Sequence, residues 1–214
     1  MKTEKDMQIS KGEQKEFINA AHKAAQYGLI KCSSGNLSWR IGDNIAAVTA
    51  SRSWLGELTA EQIAVCDIKT GKCLNGKTPT VEHAFHLGIL RNRAEINAVL
   101  HFQSPYATAA ACGKKIDFDF NVIIEVPCYI GTPAVVDYFP PGSAELADAT
   151  IEAMKNSEMV ILRNHGLVTV GKTLNDAIQK AVFFELACQI ILTQPNCRAL
   201  TRQQVEHLRQ LAKA

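Results

Sequence analysis

Residues 96–108, "INAVLHFQSPYAT", decide how this chain is read. A run of apolar, strand-forming residues ends at His101, and a helix starts at Ser104-Pro105, where proline suits the first turn. A histidine at the tip of a buried strand points beyond the sheet, as a metal ligand would. Gln103 stands two residues on, at the same-face position. A histidine there would complete an H-x-H pair, and an amide oxygen is a weaker donor that brings no charge.

Outward from this stretch, strand and helix signals alternate. Ser10 to Glu13 reads as a capping box opening a helix that buries Phe17, Ile18, Ala21, Ala24 and Ala25, with Gly28 as its stop. Strands are predicted at 36–41, 44–50 and 63–68, punctuated by "GD", "TG" and "NG" turns. A helical pattern over 82–91 leads into the strand at 96–101. Further strands fall at 133–138, 158–164 and 167–170, with a helix from Ser143 to Met154 between the first two. The last third is helical, over 173–193 and over 201–213 behind a Thr201-x-x-Gln204 box. Several hairpin-like pairs predict one α/β domain (α+β-like) over 1–214, with a central, mostly antiparallel sheet flanked by helices.

The 214 residues, 47% hydrophobic, can bury a sizeable core. A net charge of +2 with interspersed charges gives no basic stripe, which sets nucleic acid aside. The seven cysteines are scattered, odd in number and without a C-x-x-C pair, which suits reduced thiols in the cytoplasm. Lys2, Glu4 and Asp6 stand where a secretory leader would carry its apolar core, so no leader is expected. No apolar run approaches the ~20 residues of a membrane span.

Of six histidines, His22 and His207 lie within amphipathic helices, where a flank position explains them. His101 and His165 end apolar strands, and two imidazoles on rigid strand tips give the fixed geometry a divalent metal rewards. Either one alone is also explained as a satisfied core or loop histidine. Gly166, next to His165, allows a close backbone approach or a positive φ. Glu82 falls in the first turn of its helix, where the helix dipole favours an acid; it is equally a candidate ligand or general base. His86 is four residues on, on the same helix face, where it can orient that carboxylate or pack; the i,i+4 spacing favours packing. "KCSSGNLSWR" (31–40) and "TASRSW" (49–54) place hydroxyls, a glycine, an amide and Arg52 in turns, a composition that suits an anion and also an ordinary turn.

Six segments in order resemble the class II aldolase/adducin family over nearly the whole chain. They are "SSGNLS", "VTASRSWLGELT", "PTVEHAFHLGIL", "NAVLHFQSPYAT", "FPPGSAELA" and "VILRNHGLVTVG". The nearest enzyme type is L-fuculose-1-phosphate aldolase. The resemblance implies the class II aldolase/adducin fold and a homotetramer with active sites near subunit interfaces. It also implies one Zn²⁺, or another divalent metal, per subunit and a phosphorylated sugar as substrate. It places metal ligands on Glu82, His101 and His165, with Gln103 at the second H-x-H position, and makes Glu82 the catalytic base. Substrate contacts fall on Gly35, Asn36, Ser51, Arg52, Thr80 and Val81.

Three departures stand out. Gln103 replaces a histidine, Arg52 and Val81 replace a glycine and a serine, and the family's catalytic tyrosine has no counterpart, since that region reads "DFDFNVIIE". The expected reaction is retro-aldol cleavage of a ketose 1-phosphate to dihydroxyacetone phosphate and an aldehyde. An L-ribulose-5-phosphate 4-epimerase, a sugar-phosphate dehydratase and a non-catalytic adducin-like module are the alternatives.

Overall fold

A computed structural model describes residues 9–194 and 196–212. The N-terminal residues that bear on a leader, and Lys213 at the end of the expected last helix, lie outside this range.

The first helix, α1 (Lys11–Gln26), opens on the expected capping box. The Ser10 hydroxyl accepts from the Glu13 N–H at 3.2 Å, and the Glu13 carboxylate accepts from the Ser10 N–H at 2.8 Å. It closes where Gly28 and Leu29 donate back to Ala25 and Ala24, a Schellman pair that satisfies the last carbonyls.

Seven strands form one sheet: β1 (Asn36–Gly42), β2 (Ile45–Thr49), β3 (Ile63–Asp67), β4 (Ala98–Phe102), β5 (Ala134–Val136), β6 (Met159–Leu162) and β7 (Gly166–Gly171). Their order is β3-β2-β1-β4-β7-β6-β5, and β5–β6 is the one parallel pair among the described residues. Five further helices complete the fold: α2 (His83–Asn92), α3 (Pro105–Ala111), α4 (Ala144–Ala153), α5 (Leu174–Thr193) and α6 (Arg202–Leu211).

The expectation of a largely antiparallel sheet between helices holds. The alternation along β4 shows how the layers form: Ala98, Leu100 and Phe102 enter the core beneath α1, α3 and α5, while Val99 enters the core beneath α2 and α4. Covered on both faces, β4, β6 and β7 are buried throughout, so they read as continuous apolar runs rather than as alternating strands.

Two expectations change. The strand over 133–138 shortens to three residues at the sheet edge, because Tyr138 and its neighbours turn out to solvent. Residues 126–130, not assigned from sequence, form a π-helical turn that packs against α5 and α6.

At the end of the sheet where β6 begins, a partly buried charge network ties the layers together. Arg93 donates to Glu158 at 2.7 Å and to the Met154 and Ser157 carbonyls. Lys180 donates to Glu158, Asp176 and the Val170 carbonyl at 2.9, 3.1 and 3.0 Å. Burial alone would raise the Glu158 pKa, but the bonds from Arg93 and Lys180 outweigh it and hold the carboxyl below its ordinary value. A depressed carboxyl contributes stability above the unfolded pKa and loses it as pH falls through the folded value. Glu158→Gln is therefore expected to cost about 1–3 kcal/mol at neutral pH. Urea titrations should show the gap to the parent closing as pH drops below about 4.3, the ordinary glutamate value.

Candidate metal centre and anion cleft

The opposite end of the sheet carries the candidate site. His101 is the penultimate residue of β4, paired in register with Asn36 of β1 on one side and Val168 of β7 on the other. Period two turns its side chain to the face of Val99, toward α2. His165 sits in the tight β6–β7 turn, whose positive φ (+55°) is taken by Asn164. Gly166 serves by close approach, since a Cβ there would lie 2.7 Å from the Phe102 carbonyl oxygen and 3.0 Å from the His101 ring. Glu82 is the N-cap residue of α2 rather than part of its first turn. Its side chain makes no cap hydrogen bond and turns into the cleft, so dipole stabilisation does not account for it.

The three side chains converge. Glu82 Oε1 lies 3.4 Å from His165 Nε2, and Oε2 lies 3.6 Å from His101 Nε2. The three candidate donor atoms all fall within 4.8 Å of one another. His101 Nδ1 is 2.9 Å from the Leu167 carbonyl oxygen and donates to it, which turns Nε2 toward the Glu82 carboxylate. Burial first, then His101, pushes the His165 pKa down to about 4 against the pull of Glu82, so its ring is neutral and able to ligate. Glu82 Oε1 is buried without a hydrogen-bond partner.

A divalent cation fits this arrangement. Tetrahedral ligands about 2.1 Å from zinc stand roughly 3.4 Å apart. The 3.4 Å between Glu82 Oε1 and His165 Nε2 matches that spacing and is too long for a strong hydrogen bond. The orphan carboxylate oxygen is a ready ligand.

All ten residues singled out from sequence line a single cleft of about 310 Å³. Gly35, at φ +74°, packs so closely on the His101 carbonyl that a Cβ would come within 2.6 Å of its oxygen. Ser51 and Arg52 form the turn after β2, Arg52 at φ +62°, where glycine would sit without strain. Thr80 is buried and Val81 is 59% exposed just before Glu82. Gln103 lines the cleft directly after β4.

Asn36 lines the cleft with its side chain engaged. Its amide turns inward, with Nδ2 donating to Glu82 Oε2 at 2.8 Å and Oδ1 facing His86. His86 is buried as expected, yet it is bonded at both ring nitrogens rather than simply packed. Ser53, unremarked in the sequence, lines the cleft with a buried hydroxyl that lacks a partner. Pro141 of the "FPPGSAELA" segment also reaches it. Among the described residues, no tyrosine lines the cleft.

Comparison with known proteins matches residues 15–192 to the Class II Aldolase and Adducin N-terminal domain. The chain belongs to the class II aldolase and adducin family. An L-fuculose phosphate aldolase of Methanococcus maripaludis is 39% identical over 176 residues, 82% of this chain and 93% of that one. A 3-oxo-tetronate 4-phosphate decarboxylase of Pectobacterium atrosepticum is 30% identical over 211 residues, 96% of each chain. A solved L-fuculose 1-phosphate aldolase superposes with a TM-score of 0.84 at 25% identity, covering 96% of this chain and 98% of that one.

Gly166→Ala is expected to lower stability by about 1–3 kcal/mol, because the added methyl would crowd the Phe102 carbonyl oxygen, Gln103 Cγ and the His101 ring. It should also weaken zinc uptake by pushing His101 aside. A denaturant midpoint and a zinc titration unchanged from the parent would show that the β6–β7 turn yields freely.

Proposed function

We propose that this protein is a divalent-metal-dependent carbon–carbon lyase. It cleaves a ketose 1-phosphate of the L-fuculose 1-phosphate type to dihydroxyacetone phosphate and an aldehyde. The observation that carries this reading is the convergence of Glu82, His101 and His165 in a cleft that Ser51, Arg52 and Thr80 also line. The aldolase relatives support it.

In this reading Glu82, His101 and His165 hold one cation per chain, zinc by its donor set, with Gln103 as a neutral neighbour. The bound cation supplies Lewis acidity toward the substrate carbonyl and the charge left by bond cleavage. Glu82 moves the proton at the carbon beside that carbonyl. Gly35, Ser51, Arg52, Thr80 and Val81 hold the phosphate, and the guanidinium of Arg52 offsets the hydroxyl that Val81 lacks. Asn36 serves this end by its backbone position alone, because its amide is engaged with Glu82. The chain works as a homotetramer with sites near subunit interfaces, in the cytoplasm. Supporting that setting, no described helix is long and apolar enough to cross a membrane, and every described cysteine is a free thiol.

A second reading has its own support. Retro-aldol cleavage requires a group to take the proton from the hydroxyl that becomes the aldehyde, and among the described residues no tyrosine lines the cleft to do so. Decarboxylation of a 3-oxo acid phosphate needs no such group. The same carbanionic charge develops, but the departing fragment is CO₂. The decarboxylase relatives agree with that chemistry.

The purified protein should carry close to one zinc per chain, and none after zinc supplementation would refute the metal reading. Release of dihydroxyacetone phosphate from a panel of ketose 1-phosphates supports the aldolase. CO₂ release from 3-oxo-tetronate 4-phosphate, with no cleavage of the ketoses, replaces it with the decarboxylase. Ribulose 5-phosphate in the same panel tests epimerisation. Glu82→Gln should slow solvent-proton exchange into dihydroxyacetone phosphate by about 10²–10⁴-fold. An unchanged exchange rate removes Glu82 from its role.

A further inference from the structure

Behind Glu82 runs a buried chain of polar side chains that the proposed reaction does not use. Ser38 Oγ lies 2.8 Å from His86 Nδ1, His86 Nε2 faces Asn36 Oδ1, and Asn36 Nδ2 lies 2.8 Å from Glu82 Oε2. None of the four side chains is more than 7% exposed. Two elements meet here. Asn36 and Ser38 share one face of β1, and His86 descends from α2 one turn below Glu82.

The chemistry of these groups allows only one direction for the chain. A carboxylate accepts and cannot donate, so Asn36 must present its NH₂ to Glu82 and its carbonyl oxygen to His86. His86 Nε2 must then carry the proton. Complete burial holds the ring neutral, with its pKa well below the ordinary value, so Nδ1 is a lone pair that accepts from the Ser38 hydroxyl. Each link of the chain joins a donor to an acceptor, and it ends on one carboxylate oxygen. The other oxygen, Oε1, is left unpartnered on the His165 side.

We propose that His86, backed by Ser38, is a positioning residue that acts through Asn36 to fix the Glu82 carboxylate. It sets Oε2 as the oxygen held by the protein and Oε1 as the oxygen free to ligate or to carry a proton. Without the imidazole, the Asn36 amide loses its anchor and can rotate, and Glu82 loses its fixed donor. The role differs from simple core packing, for which any apolar side chain of similar size would serve.

The tautomer is tested in metal-free protein and does not depend on the proposed reaction. Nitrogen NMR of ¹⁵N-histidine-labelled protein at neutral pH should show His86 as the Nε2–H form with an unprotonated Nδ1. The consequence for the cation rests on Glu82, His101 and His165 as its ligands. His86→Leu should weaken zinc binding about 10–100-fold and lower kcat by a similar factor with KM little changed. His86→Gln, whose amide can still donate to Asn36, should recover most of the loss. The opposite tautomer overturns the proposal, as does a folded His86→Leu protein with parental zinc affinity and kcat. Should His86→Leu fail to fold, Ser38→Ala carries the same comparison, with a partial loss of zinc affinity expected and no change overturning it. A parent protein that takes up no zinc refutes the metal reading instead, and the tautomer still decides the relay.

Discussion

The antiparallel register between β1 and β4 sets Asn36 opposite His101, and the chemistry at the cleft depends on that pairing. A slip of one residue would turn both side chains to the opposite core, since strand side chains alternate with period two. In the observed register, Asn36 reaches Glu82 from one strand while His101 faces the same carboxylate from the next. The register is held firmly because both faces of β4 are buried: Leu100 and Phe102 cannot trade places with Val99 and His101 without placing polar groups in one core and voids in the other.

Converging an acid and two imidazoles inside a protein is costly unless the charge is compensated. Here the compensation is partial. Asn36 donates one hydrogen bond to Oε2, while Oε1 and His165 Nδ1 lack partners. Such a site is poised to gain from a dication, which would satisfy the open carboxylate oxygen and both ring lone pairs at once. The free energy that leaves Oε1 unsatisfied in the bare chain is the same free energy that a bound cation would recover.

Much of this was legible in the sequence, and the exceptions follow a pattern. The helix starts at Ser10, Ser143, Thr173 and Thr201 are local hydrogen-bond devices, and each appears where the residues predicted it. His101 and His165 stood out because a polar residue at the end of an apolar run is a local anomaly. The Asn36–His86 contact links residues 50 apart, and neither residue is anomalous where it stands: asparagine is common in turns and histidine is tolerated in helices. The sequence therefore favoured packing for His86 and an anion contact for Asn36. The π-helical turn at residues 126–130 carries a proline and no apolar periodicity, so it offered no local signal.

Charge accounting links the metal ligands to the rest of the cleft. Glu82 brings one negative charge, His165 is neutral by burial, and Gln103 is neutral by nature, so a bound dication leaves the metal site net positive. A histidine at 103 would strengthen a donor without altering that sum, which makes the substitution a matter of ligand strength rather than of site charge. Arg52 adds a second positive group to the cleft, on a backbone conformation that glycine would adopt more easily. Strain of this kind persists where the side chain has work to do. With a dication held by Glu82, His101 and His165, a cleft of about 310 Å³ that also holds Arg52 would disfavour neutral sugars. It favours a small molecule that is anionic at one end and develops negative charge at the other as its carbon–carbon bond breaks. A ketose phosphate and a 3-oxo acid phosphate both meet that description. What separates them is the group that leaves.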